Sequence, residues 1–379
     1  MLNNKKKKVD LVSMLVIVAI LFAVNILAEM FVPRTSLFFS VVKKSCVYAL
    51  VAVSMNLLNG FTGLFSLGQA GFMLIGAYAY AILTIPAEMR DSVYQYFDGG
   101  LVKEPIFWPL ALIVAGLVAG VFAFLIGLPV LRLKSDYLAI ATLGFAEIIR
   151  AFVQWDKFGP LTNGSNLLRG YPTFDSLASE WFGSPKFSST IALAITAVCI
   201  LLIVLFINST YGRALKAIRD DEIAAEAMGI NLARHKQISF IISSFFAGVG
   251  GALLAMHQST IQATAFESAM TYEILLIVVV GGIGSISGSC ISSFLYIAAS
   301  EWWLRGLDSG SFLGIQSTLF RGGFRKVVFS VIIMIIVLFF RQGIMGDKEL
   351  SFTRIAEKFK RRSKKEPSTK EAEKEVAAK

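Results

Sequence analysis

The sequence predicts an all-α polytopic membrane protein with about ten transmembrane crossings, some of them broken or short helices, and one short helix in a cytoplasmic loop. Three observations predict this fold. Hydrophobic residues make up 55% of the 379 residues and charged residues only 16%, whereas a soluble domain carries about 25% charged residues. The apolar residues form long blocks. The charged residues concentrate in one internal island and at the two ends of the chain.

The apolar blocks predict the spans, each long enough to cross roughly 30 Å of hydrocarbon. They lie at about 10–32, 37–58, 64–85, 106–131, 137–153, 188–207, 237–258, 270–299 and 327–341. The block at 270–299 contains GGIGSISGS, and a glycine cluster inside a span predicts a broken helix or a tight reversal. A reversal near Gly284 and Ser285, close to the cytoplasmic face, gives ten crossings with both termini inside.

These blocks divide the chain into three parts. A basic cytoplasmic N-terminus at 1–9 precedes a transmembrane domain at 10–341, whose loop at 208–236 lies inside, and a charged cytoplasmic tail follows at 342–379. We expect the tail to be disordered or loosely helical. The first block is longer than the apolar core of a typical signal peptide and has no convincing cleavage site, so we expect an uncleaved span.

The formal net charge of +10 follows from this topology, because many of the basic residues flank apolar spans at cytoplasmic ends. No nucleic-acid-binding motif accompanies the charge.

Two clusters of basic residues disagree with the predicted topology. Lys43 and Lys44 fall on the external side of the second span, where snorkelling would accommodate them. Arg321, Arg325 and Lys326 fall in a nominally external loop, and the sequence offers no explanation for them.

The sequence holds no recognisable catalytic or metal-binding motif. The two histidines, His235 and His257, lack metal-ligand spacing, and no nucleophile elbow or phosphate-binding lysine loop occurs. Cys46, Cys199 and Cys290 are widely spaced in apolar stretches, which is typical of reduced packing residues. We therefore expect no catalytic residues, no metal and no cofactor, and a protein that is not an enzyme.

The charged island at 211–236, YGRALKAIRDDEIAAEAMGINLARHK, predicts a short helix. Asp220 or Asp221 can cap its start, and Gly229 can end it with a positive φ. A helix of about eight residues, roughly 12 Å long, is unstable alone in water and needs a partner. Its small apolar face would be formed by Ile223, Ala224, Ala227 and Met228. The alternative is an ordinary loop helix held by its own chain.

The third span is rich in small residues, in the run NGFTGLFSLGQAGFMLIGAY. Small residues let helices pack closely, or let the backbone approach a solute. Gln69 needs a partner in the membrane, either another helix or the solute path.

Glu147 and Arg150, three residues apart, can pair on one helix face. An interfacial anchor explains this pair better than a proton relay, and the shortage of charge within the spans weighs against ion-coupled transport.

Five motifs in order resemble the branched-chain amino-acid ABC permease family, the larger of its two permease types. They are NLLNGFTGLFSLGQAGFMLIGAYAYAIL, YLAIATLGFAEIIR with downstream TNGSN, GRALKAIRDDEIAAEAMGI, TYEILLIVVVGGIGSISGS and FFRQGIMG, and they cover about 45–346. The resemblance implies an inner-membrane importer of leucine, isoleucine or valine. It implies four kinds of partner: a second permease subunit, two ATP-binding cassette subunits, an extracellular solute-binding protein and the lipid bilayer.

The resemblance also implies roles for individual residues. The short helix would be the coupling helix that docks on an ATPase subunit, a role that falls on Asp220, Asp221, Glu222, Ala224, Ala225, Glu226 and Gly229. The translocation pathway falls on Gly63, Ser66, Gly68, Gln69, Gly71, Gly281, Gly282, Gly284, Ser285 and Gly288. Against the general ABC permease loop pattern, Ile223 stands at the glutamate position and no Leu-Pro follows. Gln69 stands where many relatives have histidine, which leaves the substrate open.

Two alternatives remain at this point. A closely similar permease could carry urea or another small solute, because the binding protein largely sets specificity in such importers. An autonomous secondary transporter or channel would instead have no use for an exposed short helix, and would carry coupling carboxylates at mid-membrane depth.

Overall fold

The computed structural model describes residues 2–31, 36–97, 99–133 and 135–304, with short pieces at 311–312, 315–316, 327–328, 330–331, 334 and 343–346. The predictions for the tail beyond residue 349, for most of the last apolar block and for Arg321, Arg325 and Lys326 lie outside these residues.

The described chain is mostly helical. In chain order the elements are α1 (Leu2–Phe31), α2 (Leu37–Asn56), a π-helical turn (Leu57–Phe61), α3 (Gln69–Thr84), α4 (Ala87–Val93), α5 (Trp108–Val130), α6 (Ser135–Gln154), α7 (Gly159–Thr162), β1 (Leu168–Arg169), α8 (Phe174–Phe182), α9 (Ser188–Asn208), α10 (Thr210–Asp220), α11 (Glu222–Ala227), α12 (Leu232–Gln258), β2 (Thr260–Ile261), α13 (Ser268–Gly281), α14 (Ile286–Ala298), a second π-helical turn (Ala299–Trp303), β3 (Ser311–Phe312) and β4 (Ile315–Gln316). Two short antiparallel pairs join β1 to β2 and β3 to β4.

Six helical segments of the described chain are long and apolar enough to span a membrane. They are Leu37–Phe61, Trp108–Val130, Tyr137–Gln154, Pro185–Asn208, Leu232–Gln258 and Ala263–Gly281. Shorter apolar helices occur at Val18–Phe31 and Gln69–Thr84. A multi-pass membrane protein is therefore confirmed, while the predicted third span at 64–85 is helical only from Gln69 onward.

The predicted break in the block at 270–299 is confirmed. Residues 282–285 separate α13 from α14, and Gly282 and Gly284 have φ values of 113° and 93°. Residues with a Cβ rarely adopt such angles, so the glycines permit the reversal. Ser285 caps the start of α14, where its hydroxyl accepts a hydrogen bond from the Gly288 amide at 3.1 Å.

Helix α12 packs against α2, α3 and α5 at the centre of the bundle. Its glycines let the backbones touch. A Cβ added at Gly251 would lie 1.9 Å from the Met73 carbonyl oxygen, and one added at Gly76 would lie 2.0 Å from that of Gly248. Such contact between α12 and α3 is typical of membrane helices, where small residues permit close packing.

Helix α1 is attached to α9 by polar side chains. The buried carboxylate of Glu29 accepts hydrogen bonds from the Ser189 and Thr190 amides, both at 3.1 Å, and from both hydroxyls. Asn25 donates to the Thr190 hydroxyl at 3.0 Å. Since these amides lie in the first turn of α9, Glu29 also places its negative charge at the positive end of that helix.

The bundle has two ends, which α2 connects. At the end of α2, Arg219 of α10 donates to the Gly60 carbonyl at 3.1 Å. Near its start, Lys43 pairs with Asp175 of α8 at 3.0 Å. A helix of this length is roughly 30 Å long, so α10 and α8 lie on opposite sides of the bundle. We call these the α10 end and the α8 end.

Candidate functional site

Helix α11, at the α10 end, is the predicted short helix, and its limits follow from its caps. Asp221 is the N-cap, because its carboxylate accepts hydrogen bonds from the amides of Ile223 at 2.9 Å and Ala224 at 3.0 Å. Asp220 instead ends α10 and pairs with Arg219 at 3.0 Å. Gly229 has a φ of 83°, as predicted. The helix has six residues rather than eight, since Asp221 and Met228 lie at its caps.

The outer face of α11 is apolar and uncovered. Ile223 is 82% exposed and Met228 is 83% exposed, and Ala224, Glu226 and Ala227 are exposed with them. Ala225 is different, because it is buried at 4% exposure against its own chain. Adjacent helical residues point about 100° apart, so Ala224 and Ala225 lie on different sides of α11, and the coupling role expected of both residues stays a prediction.

Helix α11 is fastened to the bundle at its start. The Glu222 carboxylate pairs with Lys236 of α12 at 2.7 Å. Arg219, just before α11, reaches the π-helical turn through the Gly60 carbonyl. Gly63 lies beside the same arginine, since a Cβ there would be 3.1 Å from the Arg219 Cγ. The side chain of Arg219 thus lies between α11, the predicted docking helix, and Gly63, the first predicted pathway glycine.

The backbone between the π-helical turn and α3 is irregular, at residues 62–68. Several of its polar groups bond to other parts of the protein. The Ser66 amide donates to the Asn59 side chain at 3.2 Å, and the Leu67 amide donates to the Thr142 hydroxyl at 2.9 Å. The Thr62 hydroxyl lies 2.6 Å from that of Ser239. Irregular backbone at membrane depth is tolerated only with such partners or along a water-filled cavity.

Four predicted pathway residues near the start of α3 are packed against other helices. Gln69 is 2% exposed and donates to the Ser54 hydroxyl of α2 at 2.8 Å, so its partner is a helix. Ser66 is also 2% exposed. A Cβ at Gly68 would lie 3.1 Å from the Thr142 carbonyl, and one at Gly71 would lie 2.8 Å from the Ala146 Cα, both on α6. Their pathway role stays a prediction.

The predicted pathway residues of the break lie at the end of α13, in residues 282–285 and in the first turn of α14. Cβ atoms added at Gly281 and Gly288 would lie 2.6 Å and 2.1 Å from each other's carbonyl groups, so the two backbones touch. Residues 343–346 close the break from another side: the Ile344 and Met345 amides donate to the Val280 and Gly281 carbonyls at 2.8 and 3.2 Å. These carbonyls end α13, where no intrahelical donor is available.

Asn56, the last residue of α2, holds the break, and the sequence analysis missed it. It is fully buried. Its amide nitrogen donates to the Ser285 carbonyl and the Ser289 hydroxyl, both at 2.9 Å, and its oxygen accepts from the Gly284 amide at 2.8 Å. A carboxamide in an apolar run needs polar partners. The same rule applies to Asn56 as to Gln69, so the sequence could have indicated that Asn56 needs a polar partner. It could not have identified which residues that partner would be.

Ion pairs at the α8 end explain the two lysines that disagreed with the predicted topology. Lys43 pairs with Asp175, and Lys44 pairs with Glu301 of the second π-helical turn and lies 5.7 Å from the Tyr48 ring centroid. The two lysines are therefore paired with acidic residues of the same chain. Sequence reasoning expected snorkelling instead, because both acids are distant in the chain.

The predicted pair of Glu147 and Arg150 is confirmed, with an O–N distance of 2.6 Å. Glu147 also accepts hydrogen bonds from the amide and hydroxyl of Ser268, the first residue of α13. Arg150 approaches Glu267 at 4.0 Å. The pair connects α6 to the start of α13, which suits the anchor interpretation.

The loops at the α8 end form a hydrogen-bonded cap. Buried Arg90 donates to the Val102 carbonyl and to the Ile82 carbonyl, and its burial lowers the pKa of the guanidinium. Asn163, within TNGSN, donates to the Val93 and Leu167 carbonyls at 3.0 and 3.1 Å. Burial raises the pKa of Tyr94, whose hydroxyl donates to Leu161, to about 12. The TNGSN motif therefore contributes, through Asn163, to the hydrogen bonds that hold these loops together.

Among the described residues, no three His, Cys, Asp or Glu side chains are arranged to hold a metal ion. The features that stand out are the exposed apolar face of α11 and the polar contacts that fasten it to the rest of the bundle.

The profile of a family described as the permease component of the branched-chain amino acid transport system matches residues 37–352. The chain is 34% identical over 277 residues to the high-affinity branched-chain amino acid transport system permease protein LivM of Escherichia coli K12, covering 67% of this chain and 61% of LivM. The match thus spans less than two thirds of the LivM length. No solved structure matches.

Two further relatives extend the comparison. A probable LivM permease protein of Methanocaldococcus jannaschii is 26% identical over 275 residues, which are 66% of this chain and 76% of that protein. The LivH permease protein of Salmonella typhimurium is 24% identical over 336 residues, which are 86% of this chain and 99% of that protein. The similarity therefore includes both the LivM and LivH permeases.

Proposed function

Because the chain belongs to the family of branched-chain amino acid transport permease components, we propose that it is the transmembrane permease subunit of an ABC importer. The importer moves leucine, isoleucine or valine across the inner membrane and is driven by separate ATPase subunits. The observation that carries this proposal is α11, whose apolar face is uncovered and whose start is tied to the bundle by Glu222 and Arg219.

In this proposal α11 is the coupling helix. A six-residue helix is far below the length that is stable alone in water, so α11 depends on contacts with α10 and α12. Those contacts use its start and Ala225, which leaves Ile223, Ala224 and Met228 free for an ATPase groove. Helix-in-groove docking reads such apolar anchors on one helix face.

The proposed topology has ten crossings, with both termini in the cytoplasm. The order of the ends supports this proposal. Glu301 lies at the α8 end and residues 343–346 lie at the α10 end, so an odd number of crossings must separate them, and the proposal assigns one crossing to the last apolar block. The α10 end would be cytoplasmic, because it carries α11 and the basic residues of α10. Aromatic contacts of Trp108 and Trp181 near the α8 end suit a membrane interface.

The proposed partners follow from what the chain lacks. Its sequence has no phosphate-binding lysine loop, so two ATP-binding cassette subunits would hydrolyse ATP. A second permease subunit would complete the membrane domain, and an extracellular solute-binding protein would deliver the substrate to the α8 end. We propose no enzymatic activity for this chain.

Uptake by the reconstituted transporter tests the proposal. The chain, a second permease, both ATPases and the binding protein are placed in proteoliposomes, and uptake of labelled leucine, isoleucine and valine is measured with ATP inside. We expect ATP-dependent uptake that requires the binding protein, and none with an ATPase lacking its catalytic glutamate. ATP-dependent uptake of urea, but not of the amino acids, would favour the alternative substrate. Uptake without ATPases would instead indicate an autonomous carrier.

A further inference from the structure

We propose that Arg219 and Asn56 form a mechanical link that transmits movement of α11 to the break between α13 and α14. The inference rests on the proposed function and adds to it two positioning residues outside α11, Arg219 in α10 and Asn56 in α2. The link runs from α10 through the π-helical turn at Leu57–Phe61 to Gly284.

The first contact of the link is between Arg219 and Gly60. The guanidinium donates to the Gly60 carbonyl at 3.1 Å, and two of its nitrogens also bind Asp220 at 3.0 and 3.2 Å. Asp220 and Asp221 connect α10 directly to α11. A shift of α11 therefore acts on the arginine through one peptide unit and through an ion pair in which two guanidinium nitrogens donate to one Asp220 oxygen.

The second contact is between Gly60 and the break. A Cβ added at Gly60 would lie 2.6 Å from the Gly284 amide nitrogen. Gly60 thus binds the arginine through its carbonyl and touches the break with its Cα. Asn56, one turn earlier, fixes the same loop through the Gly284 amide and the Ser285 carbonyl. The intervening Leu57 and Leu58 are at most 1% exposed, so the turn moves as a packed unit.

The break is the part of this region suited to move. Gly282 and Gly284 hold positive φ values, and glycines can absorb large backbone changes at a hinge. The α13 and α14 backbones touch at Gly281 and Gly288 with few side chains between them. Polar contacts from Asn56 and from residues 343–346 hold this arrangement, and the Asn56 contact leads back through the π-helical turn to Arg219 and α11.

The competing interpretation is a static lock, in which the same contacts only stabilise the fold. The two interpretations differ in one measurable property. A link predicts that the break responds to ATP binding and that the response depends on Arg219. A lock predicts the same response with and without the arginine, provided that the protein folds.

The experiment uses the complete transporter with a reporter at the break. Ile283, which is 49% exposed, is changed to cysteine in a background without the native cysteines and labelled with an environment-sensitive dye. The variants are Arg219→Ala, the conservative Arg219→Lys, and Asn56→Ala. Arg213→Ala is the matched control, because Arg213 is an exposed arginine of the same helix with no ion pair to the described residues. Dye emission with ATP, ATP hydrolysis, amino-acid uptake and ATPase co-purification are measured on each.

We expect ATP to change the emission of the wild-type protein and of Arg213→Ala, and to have little effect on Arg219→Ala and Asn56→Ala. ATPases should still co-purify and hydrolyse ATP, while uptake per ATP hydrolysed falls about tenfold, within the usual range of coupling between sites. Arg219→Lys, which keeps the charge and a donor, should restore part of the response.

An ATP response in Arg219→Ala equal to that of the wild type overturns the link, as does an equal loss in Arg213→Ala. Loss of ATPase binding in Arg219→Ala would also overturn it, by showing a docking role. The wild-type sample tests the proposed function separately: an ATP response of the dye without ATP-dependent amino-acid uptake would contradict the proposed function and leave the link in place.

Discussion

Single polar residues within apolar helices hold much of this structure together. Glu29, Asn56 and Gln69 are each buried, and each bonds to a different helix. Because lipid offers no alternative partner, an unsatisfied polar group inside a membrane is costly. In each case the sequence indicates that a partner is needed, whereas the identity of the partner depends on three-dimensional packing.

Glu29→Ala tests this dependence at one residue. The substitution leaves the amides at the start of α9 without their acceptor, and we expect a loss of about 1–3 kcal/mol of stability. It should appear as a lower midpoint of thermal unfolding in detergent. Glu29→Gln retains an acceptor oxygen and should lose less. Equal unfolding midpoints for Glu29→Ala and the wild type would contradict the assigned role in attaching α1.

At the scale of elements, the sequence predicted what local patterns decide. Hydropathy predicted the six long apolar helices of the described chain, the glycines of GGIGSISGS predicted the break, and Asp221 and Gly229 predicted the limits of α11 to within about two residues. It did not predict the irregular backbone at 62–68, where the Ser66 and Leu67 amides donate to the side chains of Asn59 and Thr142. That conformation depends on a partner 75 residues away.

The same limit applies to the candidate site. The apolar outer face of α11 was predicted from its residues, but the burial of Ala225 was not, because it depends on where α10 and α12 pack. The pairing of Lys44 with Glu301 joins residues 257 positions apart, and the contact of Asn56 with Gly284 joins residues 228 positions apart. Helical periodicity indicates which residues share one face of a helix. It carries no information about which distant residues that face will contact.

The difference between Ala224 and Ala225 gives a prediction for α11. Ala224→Trp adds bulk to the exposed face, so the permease should fold while a clash of about 1–3 kcal/mol weakens ATPase association by roughly tenfold to more than a hundredfold. Ala225→Trp should instead disturb the packing of α11 on its own chain and lower the thermal stability of the permease alone.

Three measurements decide the outcome: membrane insertion, ATPase co-purification and amino-acid uptake. Ala224→Ser, which changes the size little, is the control. Combining Ala224→Trp with Gly229→Val should increase the defect, because a β-branched residue is strained at a φ of 83°. Normal uptake by Ala224→Trp with the ATPases still bound would indicate that α11 is only a solvated connector.

At the scale of the whole molecule, polar contacts gather at the two ends and close helix packing fills the middle. The α8 end carries the pairs of Lys43 and Lys44 and the cap around Arg90. The α10 end carries α11, Arg219 and the break with its contact to residues 343–346. Between them the helices meet through glycines such as Gly76 and Gly251. This division suits a membrane protein whose partners bind at its two ends.

The topology can be tested with single cysteines at exposed positions. Tyr96 is 77% exposed and Trp303 is 59% exposed at the α8 end, while Met228 is 83% exposed and Ile344 is 50% exposed at the α10 end. Each is changed to cysteine in a background without the native cysteines, and intact cells are treated with a membrane-impermeant maleimide before and after permeabilisation of the inner membrane.

We expect Tyr96→Cys and Trp303→Cys to react in intact cells, and Met228→Cys and Ile344→Cys only after permeabilisation. The decisive comparison is between Trp303→Cys and Ile344→Cys, because a single crossing between them makes ten in all, with the C-terminus inside. Reaction of both from the same side would require an even number of crossings between them and would contradict the ten-crossing topology. Reaction of Met228→Cys from outside would contradict the cytoplasmic position of α11, and with it the proposed coupling to an ATPase.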